Sequence, residues 1–290
     1  MANVILLSLV AMVLFGVSNG LQKIPVDRIG AVKFITCRGF VVSIITLILA
    51  IANFNAALFD IPTVLLGILL SAVSYFGLYF FSVGLAKSRA GIVIPIASSR
   101  TIITTFVGLL FLGEVLNVGG LLFILPIIIG IVLVSFDIKS FKADNSVVKK
   151  GVIYALLAAL FWGVTMPFFG VFSNKLGVYT YSFILEFTVF CVSMIQGIFM
   201  NKNRSILPTR GEVKQGGLTI LLVSVTAAIA SIASNAAFAT GFISIAAAVT
   251  CVSPLVSILI GRIFLHEKMT VQQYIGAVVI IVGLMGISII

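Results

Sequence analysis

Apolar runs of about 20 residues, the length a helix needs to cross the hydrocarbon core of a bilayer, follow one another along the chain. Backbone hydrogen bonding leaves few alternatives to a helix in lipid. Composition agrees, since 61% of the residues are apolar and 9% are charged. The sequence therefore predicts an all-α membrane protein with ten transmembrane helices. The expected spans are 3–22, 29–52, 62–85, 90–111, 118–136, 151–172, 179–199, 216–239, 246–264 and 271–289.

The two halves of the chain carry the same motifs. Phe111-Leu112-Gly113-Glu114 ends the fourth run, and Phe264-Leu265-His266-Glu267 ends the ninth, 153 residues later. A glycine follows at the same offset in each half, Gly130 and Gly283. A weak internal repeat in an apolar chain is typical of transporters built around a pseudo-two-fold axis. The expected organisation is a first repeat at 1–137, a polar linker at 138–150 and a second repeat at 151–290.

Lysine and arginine are concentrated in the odd-numbered connections between spans, whereas the even-numbered connections hold Lys175 alone. Cationic loops are retained on the cytoplasmic side, so the odd loops are expected inside and both termini outside. The net charge of +10 is then explained by membrane orientation, and nucleic acid is not an expected partner. With five spans per repeat, the two repeats are expected to be inverted relative to each other in a multi-pass protein of the cell membrane.

Several functional classes lack their sequence signatures. His266 is the only histidine, so a histidine-cluster metal site is excluded, and no cofactor is expected. The three cysteines fall inside apolar spans and are odd in number, which argues against a disulfide framework. There is no nucleophile elbow and no phosphate-binding glycine loop, so the chain is not expected to be an enzyme.

Three ionisable residues fall near the middle of expected spans: Arg38, Arg100 and Glu186. Each costs about 2.5–3.5 kcal/mol at the bilayer centre on insertion scales, so each requires an internal partner or a wet cavity. One interpretation is that Arg38 and Glu186 form a buried ion pair that holds the halves together. The other is that they face a cavity and bind solute, with Glu186 also a candidate proton carrier. Arg100 is expected to line the cavity or to cap carbonyls freed near Pro95.

Further polar and aromatic residues on the same spans are candidates for orienting a solute, with interhelical hydrogen bonding as the alternative. They are Asn19, Tyr79, Trp162, Thr165 and Asn235. Glu114 and Glu267 follow apolar spans and are expected to have a structural role at helix ends. Pro254 precedes Glu267 by 13 residues, while Pro95 precedes Glu114 by 19. This difference predicts that the fourth helix kinks in a different place from the ninth.

The chain resembles the EamA-type repeat of the drug/metabolite transporter superfamily. The resemblance rests on Pro254-Leu255-Val256-Ser257, Phe264-Leu265-His266-Glu267-Lys268, Gln273-Tyr274-Ile275-Gly276-Ala277 and Gly283, with Trp162-Gly163 earlier in the same half. The first half carries the pattern more loosely, with Phe15-Gly16 in place of the usual Trp-Gly. The resemblance implies a ten-helix carrier that alternates access to a central cavity and exports amino acids, other metabolites or drugs. It also implies that both termini lie inside, against the loop charges.

The sequence therefore predicts a secondary active transporter for a small polar or amphipathic metabolite, with an amino-acid-like solute as the leading hypothesis. It would work by alternating access as a proton-coupled or facilitated exporter. The alternatives are an exporter of drugs or lipophilic cations, a membrane channel and a membrane-embedded enzyme. The expected partners are the small-molecule solute and the lipid bilayer. Spans 5 and 10 are the least polar and are candidates for a homodimer contact.

Overall fold

The structure is a computed structural model of the 290-residue chain. It describes residues 2–88, 90–114, 118–135, 145–200, 208–264, 270–272, 274–276, 278–279 and 282–283. The helices of the first half are α1 Ala2–Ile29, α2 Ala31–Ala52, a 3₁₀ turn at Ala56–Leu58, α3 Ile61–Lys87, α4 Ala90–Ser98, α5 Arg100–Phe111 and α6 Val118–Ser135. Those of the second half are α7 Asn145–Leu176, α8 Val178–Met200, α9 Arg210–Ala239, α10 Ile243–Thr250 and α11 Ser253–Phe264.

The predicted all-helical membrane class is confirmed, but the count of ten spans is not. The described residues contain no strand, and they include seven segments long and apolar enough to cross a membrane, together with a shorter apolar helix at Ile96–Phe111. Much of the expected tenth span, 271–289, lies outside the described residues. Large apolar side chains such as Leu218 and Phe199 are 83% and 75% exposed, as expected for surfaces that face lipid.

The interfaces between the two halves follow a pseudo-two-fold pattern. Helix α1 packs most extensively against α9, and α3 packs extensively against α7. The pseudo-two-fold relation between the repeats converts each of these interfaces into the other, because α1 corresponds to α7 and α3 corresponds to α9. The interface of α2 with α8 is its own counterpart, since α2 corresponds to α8. The pseudo-axis therefore passes between α2 and α8, the two helices that carry Arg38 and Glu186.

The fourth span is broken at Ser99, between α4 and α5, and the ninth is broken at residues 251–252, between α10 and α11. At each break two N–H groups donate to carbonyls three residues earlier at 2.9–3.1 Å: Ser99 to Ile96, Ile102 to Ser99, Val252 to Val249 and Leu255 to Val252. Each bond in the second repeat lies 153 residues after its counterpart. The prediction that the two helices kink in different places is therefore wrong.

Different chemistry produces the two equivalent breaks. Pro254 has no N–H to continue the helix through the second break. Thr101 occupies the corresponding position of the first repeat. There, side-chain hydroxyl groups that bond to backbone carbonyls take the place of the proline. Ser98, Ser99 and Thr101 donate to the carbonyls of Ile94, Ile96 and Ser98 at 3.1, 2.7 and 3.1 Å. Such bonds from serine and threonine to preceding carbonyls bend helices, so the polar run replaces the proline.

Candidate substrate cavity

A cavity lies between the two repeats, with walls from α1, α2, α3, α5, α7, α8 and α9. The centres of water-sized molecules can occupy about 80 Å³ of it, which is enough for several waters. Six of the eight predicted binding residues line this cavity: Asn19, Arg38, Arg100, Trp162, Glu186 and Asn235. Residues far apart in sequence thus converge on one cavity at the pseudo-axis.

The other two predicted binding residues lie outside this lining. Thr165 is buried, and its hydroxyl donates to the carbonyl of Phe161 at 2.8 Å within α7. Tyr79 stacks on Tyr75 with ring centroids 6.2 Å apart. Both contacts lie within a single helix, so neither is the interhelical hydrogen bond that was the alternative to solute binding.

Arg38 and Glu186 form a bidentate ion pair across the pseudo-axis. Nη1 of Arg38 donates to Oε2 of Glu186 at 2.9 Å, and Nη2 donates to Oε1 at 3.4 Å. The two side chains are 8% and 6% exposed, and both also line the cavity. The ion pair and the cavity lining, posed as alternatives from the sequence, therefore coexist here. The pair joins α2 of one repeat to α8 of the other.

Arg100 is the first residue of α5, directly after the break at Ser99. Its guanidinium carbon lies 5.0 Å from the centroid of the Trp162 ring, a cation–π contact. The side chain is 4% exposed, and its Nε has no hydrogen-bond partner among the described residues. The described part of the chain also shows no hydrogen bond from Arg100 to a carbonyl near Pro95. No described carboxylate pairs with Arg100, which therefore brings a positive charge to the cavity wall.

Amide and hydroxyl groups complete the polar lining. Asn235 donates its Nδ2 to the hydroxyl of Ser182 at 2.8 Å, which leaves its carbonyl oxygen for another donor. Gln22 donates its Nε2 to the hydroxyl of Ser82 at 2.8 Å. Gln22 and Ser231 line the cavity but were not among the predicted residues. Their helical spacing was the available signal: Gln22 lies three residues after Asn19, and Ser231 four residues before Asn235, so each pair shares a helix face.

Glu114 lies outside the cavity, in the connection between α5 and α6. Its carboxylate accepts hydrogen bonds from the backbone N–H of Ser244 at 2.9 and 3.0 Å and from the Ser244 hydroxyl at 2.6 Å. The expected helix-end role thus concerns the start of α10, in the other repeat, where a carboxylate suits the N–H groups of the first turn, which have no partner within the helix. Glu267, its predicted counterpart, lies outside the described residues.

The Glu114 carboxylate is expected to make stability depend on pH. Burial raises the pKa of Glu114 above its ordinary value, and hydrogen bonds from Ser244 and Ile243 offset part of this effect. The folded state therefore holds the proton more tightly than the unfolded chain, so stability is greatest below the ordinary carboxyl pKa and falls as the pH rises through the raised value. Thermal unfolding should show the wild type losing stability relative to Glu114→Gln over that rise.

Asp60→Asn provides a control of opposite sign. Hydrogen bonds from the Thr63 side chain and backbone lower the pKa of Asp60 at the start of α3. There the wild type should lose stability relative to the variant as the pH falls through the lowered pKa. A difference between wild type and Glu114→Gln that does not change with pH would contradict the assignment for Glu114.

Comparison with known proteins agrees with this architecture. The model of the EamA-like transporter family matches residues 2–136 and again residues 149–289. A 137-residue stretch, 47% of this chain, is 30% identical to an uncharacterized protein of Methanocaldococcus jannaschii and covers 99% of it. That relative is thus about as long as one repeat. A crystal structure of a protein only 14% identical in sequence shares the fold, with a TM-score of 0.78 over 100% of this chain and 97% of that one.

The family match extends over both repeats and nearly the whole length, which confirms the resemblance seen in the motifs. It also agrees with the interfaces of α1 with α9 and of α3 with α7, which exchange under the repeat. The chain belongs to the EamA-like transporter family, within the drug/metabolite transporter superfamily.

Proposed function

We propose that the protein is a secondary active transporter that moves a small polar or amphipathic metabolite across the cell membrane by alternating access. The observation that carries the proposal is the cavity at the pseudo-axis, where Arg38, Arg100 and Glu186 meet between two inverted repeats. Transporters built from such repeats bind solute at the repeat interface, often beside broken helices. The breaks at Ser99 and at residues 251–252 supply that feature in both halves.

An amino-acid-like solute is the leading candidate. Two arginines and one glutamate give the cavity a charge of +1, which favours a zwitterion or an anion over a lipophilic cation. A planar guanidinium fork matches a carboxylate. The ammonium group of an amino acid would meet Glu186 in a state where the ion pair with Arg38 has opened.

Glu186 is also our candidate for coupling transport to protons. Opening of the Arg38–Glu186 pair during the transport cycle would leave Glu186 unpaired in a buried site, where protonation removes the cost of its charge. Proton entry would then accompany export of the solute. Facilitated export without a proton is the second mechanism.

Flux into proteoliposomes tests this function. We expect labelled amino acids to enter, and the rate to change when a pH gradient is imposed. Flux of a lipophilic cation without any amino-acid flux would instead support the drug-exporter alternative. Absence of flux for every solute in a well-folded preparation would contradict the transporter assignment for this chain.

We propose, from the loop charges, that the odd-numbered connections face the cytoplasm and both termini lie outside. The start of α7 should then be inside the cell. A membrane-impermeant thiol reagent added to intact cells should leave Asn145→Cys unlabelled when the native cysteines have been replaced. Labelling from outside would reverse the orientation.

We also propose a homodimer contact through spans 5 and 10. Helix α6, which supplies span 5, presents exposed apolar side chains along one face: Leu122, Leu125, Ile129 and Val132. Their spacing forms a continuous helical stripe. A mass measurement in nanodiscs that gives one copy per disc at every protein concentration would contradict the dimer.

A further inference from the structure

We infer that Arg100 is the group that recognises the solute, and that it recognises the carboxylate of an organic monoanion whether or not the solute also carries an ammonium group. This inference rests on the transporter function proposed above and narrows its substrate class. Monocarboxylates belong to that class, and amino acids belong to it because the carboxylate binds Arg100 while the Arg38–Glu186 pair is still closed. Amines without a carboxylate are excluded.

The charge distribution in the cavity singles out Arg100. Arg38 and Glu186 neutralise each other through two hydrogen bonds of 2.9 and 3.4 Å. A carboxylate that took Arg38 would leave Glu186 unpaired at 6% exposure, and an uncompensated buried charge is strongly unfavourable. The positive charge that remains for a ligand is therefore that of Arg100. An incoming anion neutralises it without breaking any existing pair.

The surroundings of Arg100 favour an anion over a neutral solute. Its Nε donor has no partner among the described residues and is buried, so a ligand oxygen would satisfy an otherwise lost hydrogen bond. Arg100 also begins the 12-residue helix α5, whose N-terminal end carries a partial positive charge. The guanidinium carbon lies over the Trp162 ring, 5.0 Å from its centroid, and the planar fork of a guanidinium matches a carboxylate.

The described residues of the lining offer no comparable site for an ammonium group. Among them Glu186 is the one carboxylate, and it is engaged by Arg38. The acceptors that remain are uncharged, such as the side-chain amides of Asn19 and Asn235. Apolar side chains, Phe15, Met166 and Phe169 among them, would surround the body of the solute. The site therefore selects for the carboxylate of the solute and accepts variation in the remainder of the solute.

The protein contains a direct reporter for this inference. Trp162 is the only tryptophan of the chain, and its ring is the one in contact with Arg100. Fluorescence excited at the tryptophan band therefore reports on the proposed site alone. Three five-carbon probes separate the charges: pentanoate carries the carboxylate, pentylamine the ammonium, and 2-aminopentanoate both. None of the three absorbs where tryptophan does.

We expect pentanoate and 2-aminopentanoate to change the Trp162 emission of the purified protein saturably, and pentylamine to have no effect. Arg100→Gln should weaken binding of both carboxylates about tenfold or more, as the loss of a charged hydrogen-bonding partner predicts. Arg100→Lys keeps the charge without the fork and should bind them with intermediate affinity. Arg210→Gln, at the exposed start of α9, is the matched control and should bind like the wild type.

Four results of the binding experiment would overturn the inference. They are saturation by pentylamine, no response to pentanoate, a response to 2-aminopentanoate alone, and unchanged affinity in an Arg100→Gln variant that melts like the wild type. Failure of the transporter function is a separate result. In that case proteoliposomes would pass no solute while pentanoate still bound. If transport of 2-aminopentanoate were unaffected by Arg100→Gln, the proposed transporter function would be supported, and the proposed recognition of the carboxylate by Arg100 would be contradicted.

Discussion

Replacing Glu186 with glutamine is expected to lower the free energy of unfolding by about 3–5 kcal/mol, because it removes one member of a buried ion pair and leaves the other uncompensated. Arg38 would keep its charge at 8% side-chain exposure with a neutral partner. The measurement is unfolding in mixed micelles of increasing denaturing-detergent content. The double variant Arg38→Gln, Glu186→Gln is the control and should recover most of the loss, since it removes both charges together.

A Glu186→Gln variant as stable as the wild type would contradict the view that this pair joins the two repeats. The same variant tests proton coupling in proteoliposomes. If Glu186 carries the proton, transport by Glu186→Gln should no longer respond to an imposed pH gradient. A normal response would show that the ion pair has a structural role only. Transport would then be coupled to protons through another residue, or not coupled to protons at all.

Replacing Gly170 with alanine is expected to lower the free energy of unfolding by about 1–3 kcal/mol, the usual cost of overpacking. A Cβ at this position of α7 would lie 2.4 Å from the carbonyl oxygen of Phe238 on α9. The obstacle is backbone, so the two helices must move apart. Thermal unfolding of the purified variant measures the effect.

Gly216→Ala is the matched control for Gly170→Ala. Gly216 is also helical, in α9, and a Cβ there would meet nothing within 4 Å. Alanine is the better helix former by about 1 kcal/mol, so this variant should be at least as stable as the wild type. If both variants lost stability equally, the close approach of α7 and α9 would not be the cause.

The sequence was a good guide wherever burial in lipid leaves few choices. Residues such as Arg38 and Glu186, in the middle of apolar runs, require partners, and a buried ion pair between these two was one of the two interpretations of the sequence. The structure pairs them directly at the pseudo-axis. Arg100 was expected either to line the cavity or to cap carbonyls freed near Pro95, and the structure places it in the cavity wall.

Tertiary features were harder to predict. The breaks in the fourth and ninth spans occupy equivalent positions, yet the ninth depends on Pro254 and the fourth on serine and threonine hydroxyls. The positions of the prolines therefore gave a wrong prediction of where the fourth helix kinks. Glu114 was expected at a helix end, but its partner Ser244 lies 130 residues away in the other repeat. Residue type predicts a cap, whereas the identity of the capped helix depends on how the repeats pack.

Accessibility of the cavity from both sides of the membrane tests the central claim, that one site between the repeats opens alternately to each side. Ser231 lines the cavity, and Ile229 on the same helix is 46% exposed on the outer, apolar surface. Each would be replaced by cysteine in a chain lacking Cys37, Cys191 and Cys251, and treated with an impermeant thiol reagent in vesicles of each orientation.

We expect Ser231→Cys to react from either side, transported solute to slow both reactions, and Ile229→Cys to stay unreactive towards the impermeant reagent. Reaction of Ser231→Cys from one side only, whatever the solute and its gradient, would contradict alternating access.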